Sequence, residues 1–347
     1  MPQDSYELPS IYSSSGKTYV PAHEQHVRSP SQQDMIPIIH KDMPYNPVQS
    51  MRDYEEEEEQ EEGYPVSTNN NTSQDQDRWL AWLLLGASFS MLFFTLVPVV
   101  ANLPDVVPSW FSGDALWRLF DPLFTLPLNL FIMTRASSIM NGKARYWGNW
   151  SEQTVGWLFW SLGAALFVQG HGLHTASAMF KHPVQDFNLA HPDIVDQYPV
   201  LQQIYSYMRD LWEHIIAHYM YAFGGMVMSW AQLFAFRNQV HGPLTIGTKI
   251  VFALGSLVYG LLLAGIAIEF PDGLYVGLVY SIVIGLICIC LMVFKPNGLS
   301  KGGGILTMGR RMVLQFYLGA CVVGLIIVII WIGIYGFQNR LAAGVAT

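Results

Sequence analysis

Residues 247–294 read GTKIVFALGSLVYGLLLAGIAIEFPDGLYVGLVYSIVIGLICICLMVF. Two apolar runs, 247–269 and 274–294, flank a polar break around Glu269–Gly273. A helix rises 1.5 Å per residue, so about 20 apolar residues cross the hydrocarbon core of a bilayer. In lipid the backbone must satisfy its own hydrogen bonds, and a helix does so. The same reading carried outward finds further spans near 79–103, 117–136, 154–176, 211–235 and 312–337. The expected fold class is therefore all-α: an integral membrane protein with a seven-transmembrane-helix bundle over residues 78–347. Segment 117–136 is the weakest, because Asp121, Pro122, Pro127 and Asn129 interrupt it. Segment 211–235 opens on charges and histidines, which calls for protein or water around its outer turn.

Composition supports that class. Of 347 residues, 51% are hydrophobic and only 13% charged, with a formal net charge of −8. Much of the acidity sits in Asp53, the run Glu55–Glu59, Glu61 and Glu62. Residues 1–77 are rich in Ser, Gln, Pro, Asn, Tyr and Glu and show no sustained period. Such a segment cannot bury enough apolar surface to offset its ordering entropy, so a disordered acidic tail is expected there. It holds no apolar leader core, which leaves the first membrane helix as an uncleaved insertion signal. No basic patch interleaves with aromatics, so nucleic acid is not an expected partner and the lipid bilayer is. Cys288, Cys290 and Cys321 all fall inside expected helices and read as small apolar residues, with no thiolate zinc spacing.

Orientation follows from Lys and Arg in the short loops. Arg135, Lys143 and Arg145 follow the second span, Arg237 and Lys249 bracket the loop after the fourth, and Lys295, Lys301, Arg310 and Arg311 follow the sixth. These loops share one side, assigned to the cytoplasm. The N-terminus is then cytoplasmic and the C-terminus lumenal or extracellular. The same topology sends the unusual polar residues to the other leaflet: Asp121, then His171 and His174, then Asp210, Glu213, His214 and His218, then Glu269. The connection 177–210 is the longest of the core and is expected to be a loop over that cluster, with a short helix within 199–209.

Two patterns carry the chemistry. Gly-His-Gly-Leu-His supplies His171 and His174, and Asp-Leu-Trp-Glu-His-Ile-Ile-Ala-His supplies Asp210, Glu213, His214 and His218. On an α-helix, positions i, i+3 and i+4 share a face. Three or four such donors can hold a divalent metal, zinc above all, with Asp121 as a further ligand or an acceptor that orients an imidazole. Bound water would then be the nucleophile of a hydrolase acting on a lipid or another membrane-embedded substrate, with Glu213 or Asp210 as the base. The same residues also suit hydrogen bonding at helix ends, a single haem, a proton relay, or a non-enzymatic receptor or transporter binding an ion or small ligand. Arg209 and Glu213, four apart, would make a surface ion pair in the plain structural reading.

Seven helices, a His-xxx-His pair and an intramembrane Asp resemble the superfamily of alkaline ceramidases and progestin/adiponectin-type receptors. His214 and His218 match its paired-histidine element and Asp121 its acidic element. The resemblance covers the helical core and implies a metal-dependent membrane hydrolase. In that superfamily the paired histidines lie on the last helix, whereas here they open the fourth.

Overall fold

In the computed structural model, residues 70–101, 103–108, 111–137, 140, 148–294 and 307–345 are described. The tail is outside that set up to residue 69, as are Lys143, Arg145, Lys295 and Lys301. Asn70–Asp77, expected as tail, form the first turns of a helix.

Regular structure among the described residues is helical. In chain order it comprises α1 (Asn70–Ala101), α2 (Gly113–Leu119), α3 (Asp121–Ser137), α4 (Glu152–Ala190), α5 (Pro192–Gln197) and α6 (Val200–Ser206). A π-helical segment, Tyr207–Ala217, follows and leads into α7 (His218–Phe236), α8 (Ile246–Glu269), α9 (Gly273–Val293) and α10 (Met312–Tyr335). Four helices are long and apolar enough to cross a membrane: α1 over Gln74–Pro98, α8, α9 and α10.

The other three expected spans are helical but depart from simple apolar rods. Segment 117–136 is broken at Phe120 into α2 and α3. Asp121, Thr125 and Asn129 repeat every fourth residue along α3 and are all buried, while Leu123, Phe124 and Phe131 face outward. Its polar stripe points inward, which lowers its mean hydropathy. The fourth expected span begins in the π segment.

The third expected span is the middle of a far longer helix. α4 has 39 residues, a length of about 58 Å at 1.5 Å per residue. The loop expected over 177–210 is therefore mostly helix: α4 runs on to Ala190, and α5 and α6 fill much of the rest. Its inward face does not stop at the end of the apolar run, since Ser177 and Ala178 remain buried. The short helix expected within 199–209 is α6.

Close backbone approach joins α4 to α7. A Cβ on Gly170 would lie 2.4 Å from the Tyr221 nitrogen, and one on Gly224 would lie 2.4 Å from the Phe167 nitrogen. Only glycine lets the two backbones meet there. Gly273 and Gly277 serve contact within the chain: a Cβ on Gly277 would lie 2.5 Å from the Ala267 Cβ. The main core sits among α1, α3, α7, α8, α9 and α10, around Leu84, Ile132, Ile284, Met312 and Phe316.

Polar contacts mark the two ends. At one, Arg237 pairs with Glu152 and its carbonyl accepts from Arg311. Nearby, His241 Nδ1 lies 2.6 Å from Asp77 Oδ1, and Arg310 donates to the His241 carbonyl at 2.8 Å. Arg237, Arg310 and Arg311 thus gather as their loop positions require. At the other end, the Tyr219 hydroxyl donates to the Pro271 carbonyl and Arg340 grips Glu269 at 2.6 and 2.8 Å.

Between the ends runs a buried polar ladder. Ser90 and Thr125 hydroxyls meet at 2.9 Å, and Thr125 donates to Asp121. Gln232 donates to Asn129 Oδ1 at 2.6 Å and accepts from the Tyr317 hydroxyl at 2.6 Å. Unpaired amides in an apolar interior would cost several kcal/mol, so their mutual pairing is what makes α3 tenable.

Candidate functional site

The Gly170 contact sets α4 against α7 at the level where α4 carries His171 and His174. The start of α3 brings Asp121 to the same place, and the π segment adds Glu213. His171, His174, Asp121 and Glu213 are each buried. His171 Nε2 lies 3.3 Å from Asp121 Oδ2, and His174 Nε2 lies 3.7 Å from Glu213 Oε1. His174 stacks on His218 with centroids 5.1 Å apart and planes 9° apart. His214 stacks on the other side of the line, 5.5 Å from His218. The four histidines and two of the three candidate carboxylates therefore converge.

Asp210 does not join them. Its side chain is 51% exposed and takes Arg209 Nε at 2.7 Å. The surface pair expected between Arg209 and Glu213 is likewise replaced. Arg209 takes Asp210, while Glu213 turns inward to Lys181, whose Nζ lies 2.6 Å from Oε2. The physical reason is the π segment: i→i+5 hydrogen bonding widens each turn, so α-helical spacing misjudges which residues face in. Glu269 also stays apart, held by Arg340.

Three members were missed by motif reading. Lys181 supplies the counter-charge to Glu213, and it stands seven residues beyond His174 on the same face. Arg118, three residues before Asp121, is ion-paired to Asp114 at 3.1 Å. Tyr221, three residues after His218, stacks on His171 with centroids 4.7 Å apart. Each lay at a helical spacing from a chosen residue, but none belonged to a His or carboxylate pattern.

Phe167 packs edge-on to His171 at 4.6 Å and Phe270 stacks on His218 at 4.5 Å. In this aromatic shell the Nδ1 atoms of His171, His174 and His218 are buried without a hydrogen-bond partner. Buried polar atoms are normally paired, and these nitrogens each have capacity for one further hydrogen bond. The cluster also borders a cavity lined by residues of α1, α3, α4, α7, α8 and α9. Asp121, Phe167 and Tyr221 line it, together with the apolar Leu263 and Ile266 and with Tyr259 and Tyr280.

The ligand set expected for zinc can be tested on this geometry. Zinc needs nitrogens about 2.0–2.1 Å away and converging on one point. An imidazole lone pair lies in the ring plane, and the His174, His218 and His214 rings lie nearly parallel, 9° and 20° from one to the next. Glu213 is already engaged by Lys181 and Asp121 by Thr125. Among the described residues, no group of three or more His, Cys, Asp or Glu is arranged to hold a metal ion. The residues as arranged do not fit zinc.

Comparison with protein-family models, with curated proteins and with solved structures gives no match.

Proposed function

We propose that this chain is a seven-span membrane protein that binds a small amphipathic ligand reaching it from the bilayer. The ligand's polar end meets the histidine–carboxylate cluster and its apolar body lies in the adjoining cavity. The observation that carries this reading is the set of orphaned, buried imidazole nitrogens beside an apolar cavity walled in part by Asp121. Charged groups at membrane depth are costly and are retained chiefly for function. Lys181 offsets Glu213 and Asp114 offsets Arg118, which leaves the Asp121–His171 pair to answer the ligand by sharing or shifting a proton. The N-terminus is cytoplasmic and the C-terminus lumenal or extracellular, supported by the Arg-rich end formed by Arg237, Arg310 and Arg311.

A diazirine-bearing fatty alcohol tests the reading. Irradiation of the purified protein is expected to label peptides of α7 and α8 that line the cavity. Leu263→Trp, which fills it, should abolish that label, and Ile250→Trp on the outer face of α8 should not. Equal labelling in both variants would count against the cavity as a ligand site.

A second reading keeps the lipid hydrolase expected from the residue types. It is supported by the His174–Glu213 contact, an imidazole–carboxylate pair of the kind that moves protons in acyl transfer. Release of fatty acid from a lipid ester by the wild-type protein, lost in Glu213→Gln, would favour it.

A further inference from the structure

The Arg-rich end holds more positive charge than its carboxylates answer. Arg310 donates to the His241 carbonyl at 2.8 Å, and Arg311 donates to the Arg237 carbonyl, so both guanidiniums reach into the connection between α7 and α8. The carboxylates nearby are already engaged: Glu152 takes Arg237, and Asp77 takes His241 and the Gly242 N–H. Among the described residues, no carboxylate pairs with Arg310 or Arg311. Yet Arg311 is only 4% exposed, and the Nε atoms of both arginines are buried without a hydrogen-bond partner. Burial pushes the Arg311 pKa below the usual arginine value, and no neighbouring carboxylate acts against it. A buried charge left unpaired is costly, whereas a paired and hydrogen-bonded one is tolerated.

The missing partner has a definable chemistry. A guanidinium is a planar fork of N–H donors that matches the oxygens of a phosphate two at a time. Arg310 is half-buried, which gives an anion access to the pair. Arg311 also holds the N-cap position of α10, and its side chain makes no capping bond there. The dipole and first N–H groups of a helix favour an anion at that end. α10 is long and apolar enough to cross a membrane, so its first turn stands at the level of lipid headgroups. We propose that Arg310, Arg311 and the start of α10 form a site for a phosphate group at the membrane surface, independent of the cavity and the histidine cluster. The phosphate of an anionic phospholipid and free inorganic phosphate share this chemistry, and the first turn of a membrane span favours the lipid.

The test uses two lipids that differ only in the phosphate: dioleoyl phosphatidate and dioleoylglycerol. The full-length protein in a neutral detergent is melted with each, and with inorganic phosphate, and followed by tryptophan fluorescence. Phosphatidate is expected to raise the melting temperature of the wild type by a few degrees, as a ligand of the folded state does, and dioleoylglycerol is not. Arg311→Gln keeps an N–H donor for the Arg237 carbonyl but removes the charge. It should melt no lower than wild type without lipid and lose most of the rise. Arg310→Gln, at the half-buried position, should lose part of it. An equal rise with inorganic phosphate, also lost in Arg311→Gln, supports the site and assigns its phosphate to solution. Equal effects of phosphatidate and dioleoylglycerol on the wild type, or a rise that survives intact in Arg311→Gln, overturn the site. If Arg311→Gln yields no folded protein, Arg310→Gln decides, and an undiminished rise there overturns the site.

Discussion

Gly170→Ala is the sharpest test of how the site is assembled. The added Cβ would lie 2.4 Å from the Tyr221 nitrogen, 2.8 Å from its Cβ and 2.9 Å from the Ala217 carbonyl oxygen. Carbon contacts are comfortable near 3.5 Å, so α4 and α7 must part by about 1 Å. Overpacking of this kind costs about 1–3 kcal/mol. Alanine returns about 1 kcal/mol through helix propensity. Gly172, two residues on, has nothing within 4 Å of its notional Cβ, so Gly172→Ala receives the propensity gain alone. Comparing the two variants cancels that gain and isolates the clash. On heating the purified protein in one detergent and following tryptophan fluorescence, Gly170→Ala should melt below Gly172→Ala by roughly 3–9 °C. Coincident melting of the two variants would refute the claim that backbone contact at Gly170 holds the histidine cluster together.

Lys181→Met leaves Glu213 buried without its counter-ion and should destabilise the fold by about 3 kcal/mol; Glu213→Gln added to it should restore most of that loss, and thermal unfolding of the single and double variants measures both. Zinc measured by elemental analysis in protein purified without chelator should be well below one ion per chain, and a stoichiometric amount that vanishes in His218→Ala would show that the rings turn to converge. Asn70, Asn71 and Asn149 each begin an Asn-x-Ser/Thr pattern but fall on the proposed cytoplasmic side, so endoglycosidase should not shift the protein's mass; a shift lost on substituting them would invert the orientation.

The long apolar runs told their own story in the sequence, because α1, α8, α9 and α10 need nothing but length and hydropathy to be recognised. So did the meeting of His171 and His174 with His214 and His218, since loop charge and helical spacing already sent them to one end. What periodicity alone could not reveal was where the helix changes its winding. Asp210 leaves the cluster it was expected to share with Glu213 because Tyr207–Ala217 is π-helical, and no residue type announces that. Nor do spacing rules say how side chains orient once they arrive. His171 stacks on Tyr221 and His218 on Phe270, contacts made by aromatic packing across helices rather than by any pattern within one.

The inward polar stripe of α3 bears on how the chain is made. Helices such as α9 can leave a translocation channel for lipid unaided, whereas α3 carries Asp121, Thr125 and Asn129 and has no such freedom. Ser90 on α1 is synthesised before it and can shield Thr125 at once. Gln232, the partner of Asn129, emerges about a hundred residues later, at the helix's own length many times over. On the proposed seven-span reading, Asn129 of α3 therefore goes without this partner until α7 arrives.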